Sequence, residues 1–262
     1  MFEGEQWGAI HRLWDELPDF PAADLDGACR HLMQIICNLI GADNATWVGV
    51  ARMKQGALAR KDILQGWRAA ASVSRRLYSR DESRFVKRLI KEQDSDPGMA
   101  SIAIARAAGQ FRVHRMRDGF VDFAKFRRTR HYQLAYRAFG IDDRMWVGFP
   151  VHKDTESFFL FDKLRTRRRF SEDDAALAGE ALRGIKWFHR QLLLGHGLAI
   201  AEKPLTSMQR RVLGLLLTEK SEKEISVALG HSFDTTHTHV MEIYHRLGVN
   251  GRAGLMALWL GK

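Results

Sequence analysis

Ser221-Glu222-Lys223-Glu224-Ile225-Ser226-Val227-Ala228-Leu229-Gly230-His231-Ser232 is the stretch that decides how the C-terminal part of this chain folds. Ser221 followed three residues later by Glu224 is a capping box: the hydroxyl takes the backbone N–H of 224, and the carboxylate takes that of 221. Gly230-His231-Ser232 then separates this helix from a second one ending at Leu247-Gly248. Thr206 with Gln209 repeats the capping device one helix earlier. Apolar residues fall at helical spacing in each run: Leu205, Val212, Leu213 and Leu216; Ile225, Ala228 and Leu229; Val240, Ile243 and Leu247. Each predicted helix has one apolar stripe, and together the stripes close a small core. A fourth helix is weakened by Gly251 and Gly254, since an internal Gly costs roughly 1 kcal/mol relative to Ala. Two helices joined by about three residues, the second with a polar outer face, have the geometry that sets a helix into a DNA major groove.

Upstream, Gln6–Leu17 reads as an amphipathic helix stopped by Pro18 and Pro21. Asp24 opens a longer helix to Ile40, with Gly41 as its stop. Thr46, Val48 and Val50 alternate with Trp47 and Gly49, which predicts a strand over Asn44–Met53. Gln55–Ala71 is ambiguous. Ser74–Gln93 reads as a basic helix broken at Asp96-Pro97-Gly98, Ser101–Ala108 as a short helix, and Phe111–Met116 as a strand. Val121–Phe139 reads as one helix. Arg144–His152 and Ser157–Lys163 form an antiparallel hairpin around a four-residue polar turn. Ser171 caps a long helix reaching about Leu194, with Asp173 and Asp174 in its dipole-favoured first turn. Helices alternating with a few antiparallel strands predict an α+β domain over residues 1–194, a linker over 195–203 and an all-α unit over 204–262.

The run Leu205-Thr206…Val212-Leu213…Ser221-Glu222-Lys223-Glu224-Ile225…Leu229-Gly230…Thr238-His239-Val240…Ile243…Arg246-Leu247-Gly248-Val249…Arg252-Ala253 resembles the LuxR/FixJ-type DNA-binding domain of bacterial transcription regulators. The resemblance implies that the third helix reads bases and the fourth packs against a second subunit. By position it assigns base reading to His237, Thr238 and Met241, and phosphate contacts to Lys223, Ser232, Thr235 and Arg252. The chain departs from the pattern at His237 and Met241, where Lys or Arg is common, and at Gln209, where an acid is common. Glu242 adds a negative charge to the groove face. The segment Tyr136-Arg137-Ala138-Phe139-Gly140-Ile141…Val147-Gly148-Phe149-Pro150-Val151…Phe159-Leu160-Phe161…Phe170-Ser171-Glu172-Asp173-Asp174 is similar to the second half of GAF-like domains. That similarity implies a sheet flanked by helices, a dimer, and in some members a small-molecule pocket. The chain lacks the acidic pair of a phosphoacceptor receiver domain and the Trp-x-x-x-Tyr signature of acyl-homoserine-lactone sensors. The alternative reading is a ligand-binding or protein-interaction module whose helix-turn-helix no longer binds DNA specifically.

Trp47, Trp67, Tyr132, Tyr136 and Trp146 are amphipathic aromatics near the predicted strands, the residue type that walls a small-ligand pocket; ordinary core packing is the alternative. His237, Met241 and His245 share one helix face, but two imidazoles eight residues apart on one helix do not reach a common ion, so no metal is expected. The chain has no phosphate-binding glycine loop ending in Lys-Ser/Thr, no Cys-x-x-Cys and no Gly-x-Ser-x-Gly elbow, so neither a catalytic residue nor a cofactor is assigned.

The 262 residues, 45% of them hydrophobic, suffice for two packed units. No window approaches a membrane span of roughly eighteen apolar residues, and Met1-Phe2-Glu3-Gly4-Glu5 is unlike a signal peptide. Cys29 and Cys37 lie on one predicted helix with Cα atoms about 12 Å apart, too far for a disulfide, which fits a reducing cytoplasm. The net charge of +10 suits a nucleic-acid partner, yet residues 204–262 hold only +2 of it, so this unit alone binds phosphates weakly. The arginines at 127, 128, 130, 165 and 167–169 are read first as solvated faces. Imidazoles as a class gain protons near pH ~6.5, so DNA affinity should rise as pH falls from about 8 to about 6. A flat binding titration at constant salt would contradict this.

Overall fold

The computed structural model describes residues 4–53, 55–76, 84, 88, 97–165, 167–198 and 204–261. The chain starts with α1 (Gly4–Glu16) and α2 (Leu25–Ile40). Asp24 caps α2 by accepting the Gly27 N–H at 3.0 Å, and Gly41 ends it in the left-handed region at φ +60°. β1 (Asn44–Arg52) follows. The ambiguous stretch resolves into α3 (Gly56–Lys61) and the start of β2 (Trp67–Ser74). Ser74 thus closes a strand instead of opening a helix, and most of the expected Ser74–Gln93 helix lies outside the described residues. α4 (Met99–Arg106) and β3 (Arg112–Arg115) come next.

The helix expected over Val121–Phe139 is not continuous. It divides into α5 (Phe123–Phe126), α6 (Arg130–Tyr132) and a π-helical turn at Gln133–Arg137. Two internal caps restart it: Asp122 accepts the Lys125 N–H and Thr129 accepts the Tyr132 N–H, each at 3.1 Å. β4 (Ile141–His152) and β5 (Thr155–Leu164) form the expected hairpin, but its turn shrinks to Lys153-Asp154 because Thr155 and Glu156 pair across it.

The long helix expected after Ser171 also breaks, into α7 (Glu172–Arg183) and α8 (Lys186–Gly195). At the break sits Gly184, where a Cβ would fall 2.4 Å from the Trp14 ring. Two carbonyls at the end of α7 find side-chain donors there. Trp14 Nε1 donates to Ala181 O at 2.9 Å, and His189 Nε2 donates to Leu182 O at 2.9 Å. Hydrogen bonding thus offsets the interrupted helix ladder.

The five strands make one antiparallel sheet in the order β2-β1-β5-β4-β3. Because strand side chains alternate, the sheet has two unlike faces. Trp47, Met145, Val147, Phe159 and Phe161 point to one face and bury against α1, α2, α7 and α8. Trp146, Leu160 and their neighbours point to the other, beneath α4, α5, α6 and the π turn. The α+β class expected from the sequence is the one found.

Four helices end the chain: α9 (Ser207–Leu216), α10 (Glu222–Leu229), α11 (Phe233–Leu247) and α12 (Arg252–Leu260). Both anticipated capping boxes form, at Thr206/Gln209 and Ser221/Glu224. Leu205, Val212, Leu213, Leu216, Ile225, Val240, Ile243 and Leu247 make one buried cluster, which Leu194 of α8 joins. This unit therefore packs on the N-terminal domain. A Cβ on Gly214 of α9 would lie 2.8 Å from Ala23 Cα, so only glycine permits that approach without a shift.

His189 lies wholly buried between α8 and the sheet. Trp47 Nε1 donates to Ser157 Oγ, whose own proton goes to His189 Nδ1, both at 2.8 Å. With Nε2 donating to Leu182, the imidazole is held neutral, and burial pushes its pKa down to about 4. A folded-state pKa depressed below ~6.5 contributes stability that is full above that pH and is lost as pH falls towards the folded value. Unfolding stability should drop by roughly 3 kcal/mol between pH ~7 and pH ~4 from this group alone. Urea midpoints across that range check it, and His189→Gln should be less stable at neutral pH and flatter with pH.

Candidate DNA-reading surface and small-molecule cavity

The second helix of the helix-turn-helix, α11, starts at Ser232, whose hydroxyl accepts the Thr235 N–H at 3.1 Å. Gly230 supplies the turn before it, with φ +68° at the end of α10. Thr236, Val240, Ile243 and Leu247 are buried, and this fixes the rotation of α11. Asp234, Thr235, His237, Thr238, Met241, Glu242 and His245 are left on its exposed side. The residues assigned to base reading thus share one open face, with Met241 at 53% exposure.

That face is ordered by its own contacts. His237 Nδ1 lies 2.8 Å from Glu222 Oε2 of α10, and its ring stacks near Phe233. Thr238 Oγ1 donates back to Asp234 O at 2.9 Å. Glu242 is drawn aside by Gln209, whose amide donates to Glu242 Oε2 at 2.6 Å while its oxygen accepts the Thr206 N–H. The departure at Gln209 therefore has a consequence, since an acid there could not hold Glu242. Among the residues assigned to phosphate contact, Lys223 is exposed, Ser232 and Thr235 hydrogen-bond each other at 2.8 Å, and Arg252 donates one bond to Lys220 O.

The second candidate site is a cavity of about 290 Å³ on the open face of the sheet. Trp67, Tyr136 and Trp146 line it, with Val48, Leu64, Ile104, Phe158 and Leu160. Tyr132 is not in the lining and stacks behind Tyr136 at 5.5 Å. Trp47 is on the opposite face, 4.8 Å from the His196 ring. The sequence had already put Trp47 out of phase with Thr46, Val48 and Val50, and these three do face the cavity.

Polar groups that the sequence reading did not single out complete the lining. Arg144 pairs with Asp162 (Nη2 to Oδ2, 2.8 Å), Arg112 with Glu156 (2.7 Å), and Arg68 with Asp62 (2.8 Å). Burial opposes the charge on Arg144, but Asp162 and Tyr136 outweigh it and its pKa ends raised. These charges are compensated in place. Trp67 Nε1 and Asn44 Oδ1 are not: each is buried and has no hydrogen-bond partner among the described residues. An unpartnered buried polar atom costs about 1–3 kcal/mol, so one free donor and one free acceptor are presented to the cavity. The alternation of β1 carried a signal for Asn44; the ion pairs, which join residues far apart in sequence, left none.

The two sites meet across the domain seam. Asp26 Oδ1 accepts Arg210 Nη2 of α9 at 2.7 Å and His196 Nε2 at 3.2 Å. Burial raises the Asp26 pKa, but these two bonds overcome it and hold the carboxyl far below the usual range. Trp259 of α12 is 7% exposed and borders a groove with Leu17, Pro18, Trp187 and Phe188. Burial keeps the thiols of Cys29 and Cys37 protonated, the latter pushed up to about 12. Among the described residues there is no cluster able to hold a metal ion and no helix long and apolar enough to cross a membrane.

Comparison with known proteins adds three findings. The transcriptional regulatory protein MctR of Rhizobium johnstonii is 36% identical over 119 residues, which are 44% of this chain and 52% of MctR. The match thus spans about half of that relative. The LBD domain of VqsR from Pseudomonas aeruginosa superposes on 70% of this chain and 96% of its own, with TM-score 0.50 and 14% identity, a likeness of fold. SdiA from Escherichia coli aligns over 97% of this chain and 98% of its own at TM-score 0.47 and 12% identity. The family model for bacterial regulatory proteins of the luxR family matches residues 203–258, the span that holds α9 to α11 and most of α12. The helical unit at the end of this chain is a luxR-family helix-turn-helix domain.

Proposed function

We propose that this chain is a cytoplasmic transcription regulator that binds double-stranded DNA as a homodimer and responds to a small molecule. The observation that carries the reading is the open face of α11, on which His237, Thr238 and Met241 stand clear of the protein. In this reading they contact base edges, while Lys223, Ser232, Thr235 and Arg252 face the backbone. A symmetric pair with one reading helix per subunit spans half-sites about one helical turn apart. Residues 1–194 are the sensor, 195–203 the linker and 204–262 the effector. The chain acts by binding, with no catalytic residue and no cofactor.

The ligand of the sensor is a compact molecule with an apolar body, one acceptor for Trp67 Nε1 and one donor for Asn44 Oδ1. Trp67, Tyr136 and Trp146 supply aromatic walls, while Trp47 and Tyr132 support the fold around them. Such a ligand changes DNA binding only by the difference in its affinity for competent and incompetent arrangements of the two units. The seam at Asp26 is the place for that difference to act.

Recovery of genomic fragments by the purified protein tests the first half of the reading. Palindromic fragments are expected, and replacing Thr238 and Met241 by Ala should weaken specific binding by about ten- to a hundred-fold per lost base contact with the fold intact. Unchanged binding would remove the reading. For the second half, Ala105→Phe fills the cavity from its lining. It should abolish any small-molecule response while leaving ligand-free DNA binding as it was; a response that survives would place the ligand elsewhere.

A further inference from the structure

A second cavity, of about 510 Å³, lies where the two units meet, and the reading above leaves it unused. Arg52 at the end of β1, Asp154 in the β4–β5 turn and Thr155 at the start of β5 form its floor. Lys186 and Arg190 of α8 make a wall, and Leu258 of α12 closes it from the DNA-binding unit. Arg190 Nη2 donates to Leu258 O at 3.0 Å, so the wall and the closing helix are tied together.

Three features define what would fit. The first is charge. Arg52, Lys186 and Arg190 are set against one carboxylate, Asp154, which lies 3.5 Å from Arg52 Nε. Among the described residues the exposed Lys186 ammonium has no hydrogen-bond or ion-pair partner. The second is an orphan. Thr155 is 3% exposed, and its hydroxyl lines this cavity without a hydrogen-bond partner among the described residues. Leaving a buried hydroxyl unpaired is costly, and an occupant that accepts its proton would relieve the cost. The third is that the remaining surface is largely aliphatic, with Leu194 beside Leu258. An isolated inorganic ion would leave that surface in contact with water.

We infer that this cavity binds a small carboxylate with a short apolar tail, with Lys186 as its counter-ion and the Thr155 hydroxyl as a donor. The tail lies along Leu194 and Leu258, so the occupant touches both units at once. Its binding therefore favours the docked arrangement over any in which α12 has left α8. This inference does not depend on the DNA-binding reading.

The test uses the full chain with hexanoate, inorganic phosphate and hexylamine, followed by calorimetric titration. Hexanoate should saturate a single site, and hexylamine should not bind. Lys186→Glu and Thr155→Val should each weaken hexanoate about ten-fold or more, about 1.4 kcal/mol. Trp67→Phe, which alters the other cavity, should leave hexanoate binding unchanged. Lys186 is exposed and Thr155→Val keeps the side-chain shape, and matching circular dichroism spectra confirm that both variants fold. The inference is overturned if hexanoate does not saturate, if hexylamine binds equally well, or if Trp67→Phe weakens hexanoate and Lys186→Glu does not. Phosphate binding without hexanoate binding would overturn it as well, since the aliphatic wall would then have no part.

Discussion

Alternation of side chains along β1 and β5 is the constraint from which the N-terminal domain follows. Thr46, Val48 and Val50 face the cavity, and Trp47, one residue out of phase, is buried against the helices on the other side. Phe158 and Leu160 answer them across the pairing on the cavity side, while Phe159 and Phe161 fill the core. A slip of one residue would exchange the two sets and put bulky rings into the cavity. The register is held by the Trp47–Ser157–His189 chain of hydrogen bonds, which no shifted pairing could make. One face of the sheet is thus closed by packing and a fixed polar network, and the other is left roomy with two polar atoms unpaired.

Local signals in the sequence were sufficient wherever a local cause decides the structure. The capping boxes at Thr206 and Ser221, the left-handed stops at Gly41, Gly230 and Gly248, and the apolar stripes of α9 to α11 all depend on residues within a few positions of each other. Distant causes left weaker traces. The break at Gly184 needs Trp14, far off in the chain, both to fill the space beside the glycine and to take the Ala181 carbonyl. The division of Val121–Phe139 did have a local sign in Asp122 and Thr129, good caps that a helical apolar pattern masks. At the cavity, the three aromatics lining it were legible as aromatics near strands. Trp47 was separable from them only by taking the period of two at face value, and Tyr132 only by knowing the π turn. The ion pairs Arg144–Asp162 and Arg112–Glu156 depend on strand neighbours that are known only once the sheet order is known.

The weak positive charge of residues 204–262 has a structural counterpart. Glu222 and Glu242 both stand near the open side of α11, and both are engaged: Glu222 by His237, Glu242 by Gln209 with His239 at 3.8 Å. Hydrogen bonds to a carboxylate direct its lone pairs inward and lower the desolvation cost of bringing a phosphate close. The face depends less on surplus cations than on acids held out of the way. Gln209 is central to this because an amide supplies a donor to Glu242 and an acceptor to the Thr206 cap at once. A carboxylate at 209 could cap but would repel Glu242.

Asp26 links this unit to the rest. Its carboxylate is shared by His196 at the end of the α8 segment and Arg210 on α9, one partner from each side of the seam. A carboxylate so partnered is costly to leave half-satisfied, since removing either donor strands charge in a largely buried place. Separation of the two units would break the Arg210 bond, open the approach of Gly214 to Ala23 and uncover Trp259 together. These losses are coupled because all three contacts join rigid helices to the Pro21–Leu25 corner or to α8 beside it. The seam therefore behaves as a unit that is either closed or open. His196 also stacks on Trp47, whose strand neighbours Thr46 and Val48 line the sensor cavity. A shift of β1 on the cavity side would be felt at His196 and hence at Asp26, through one layer of the sheet.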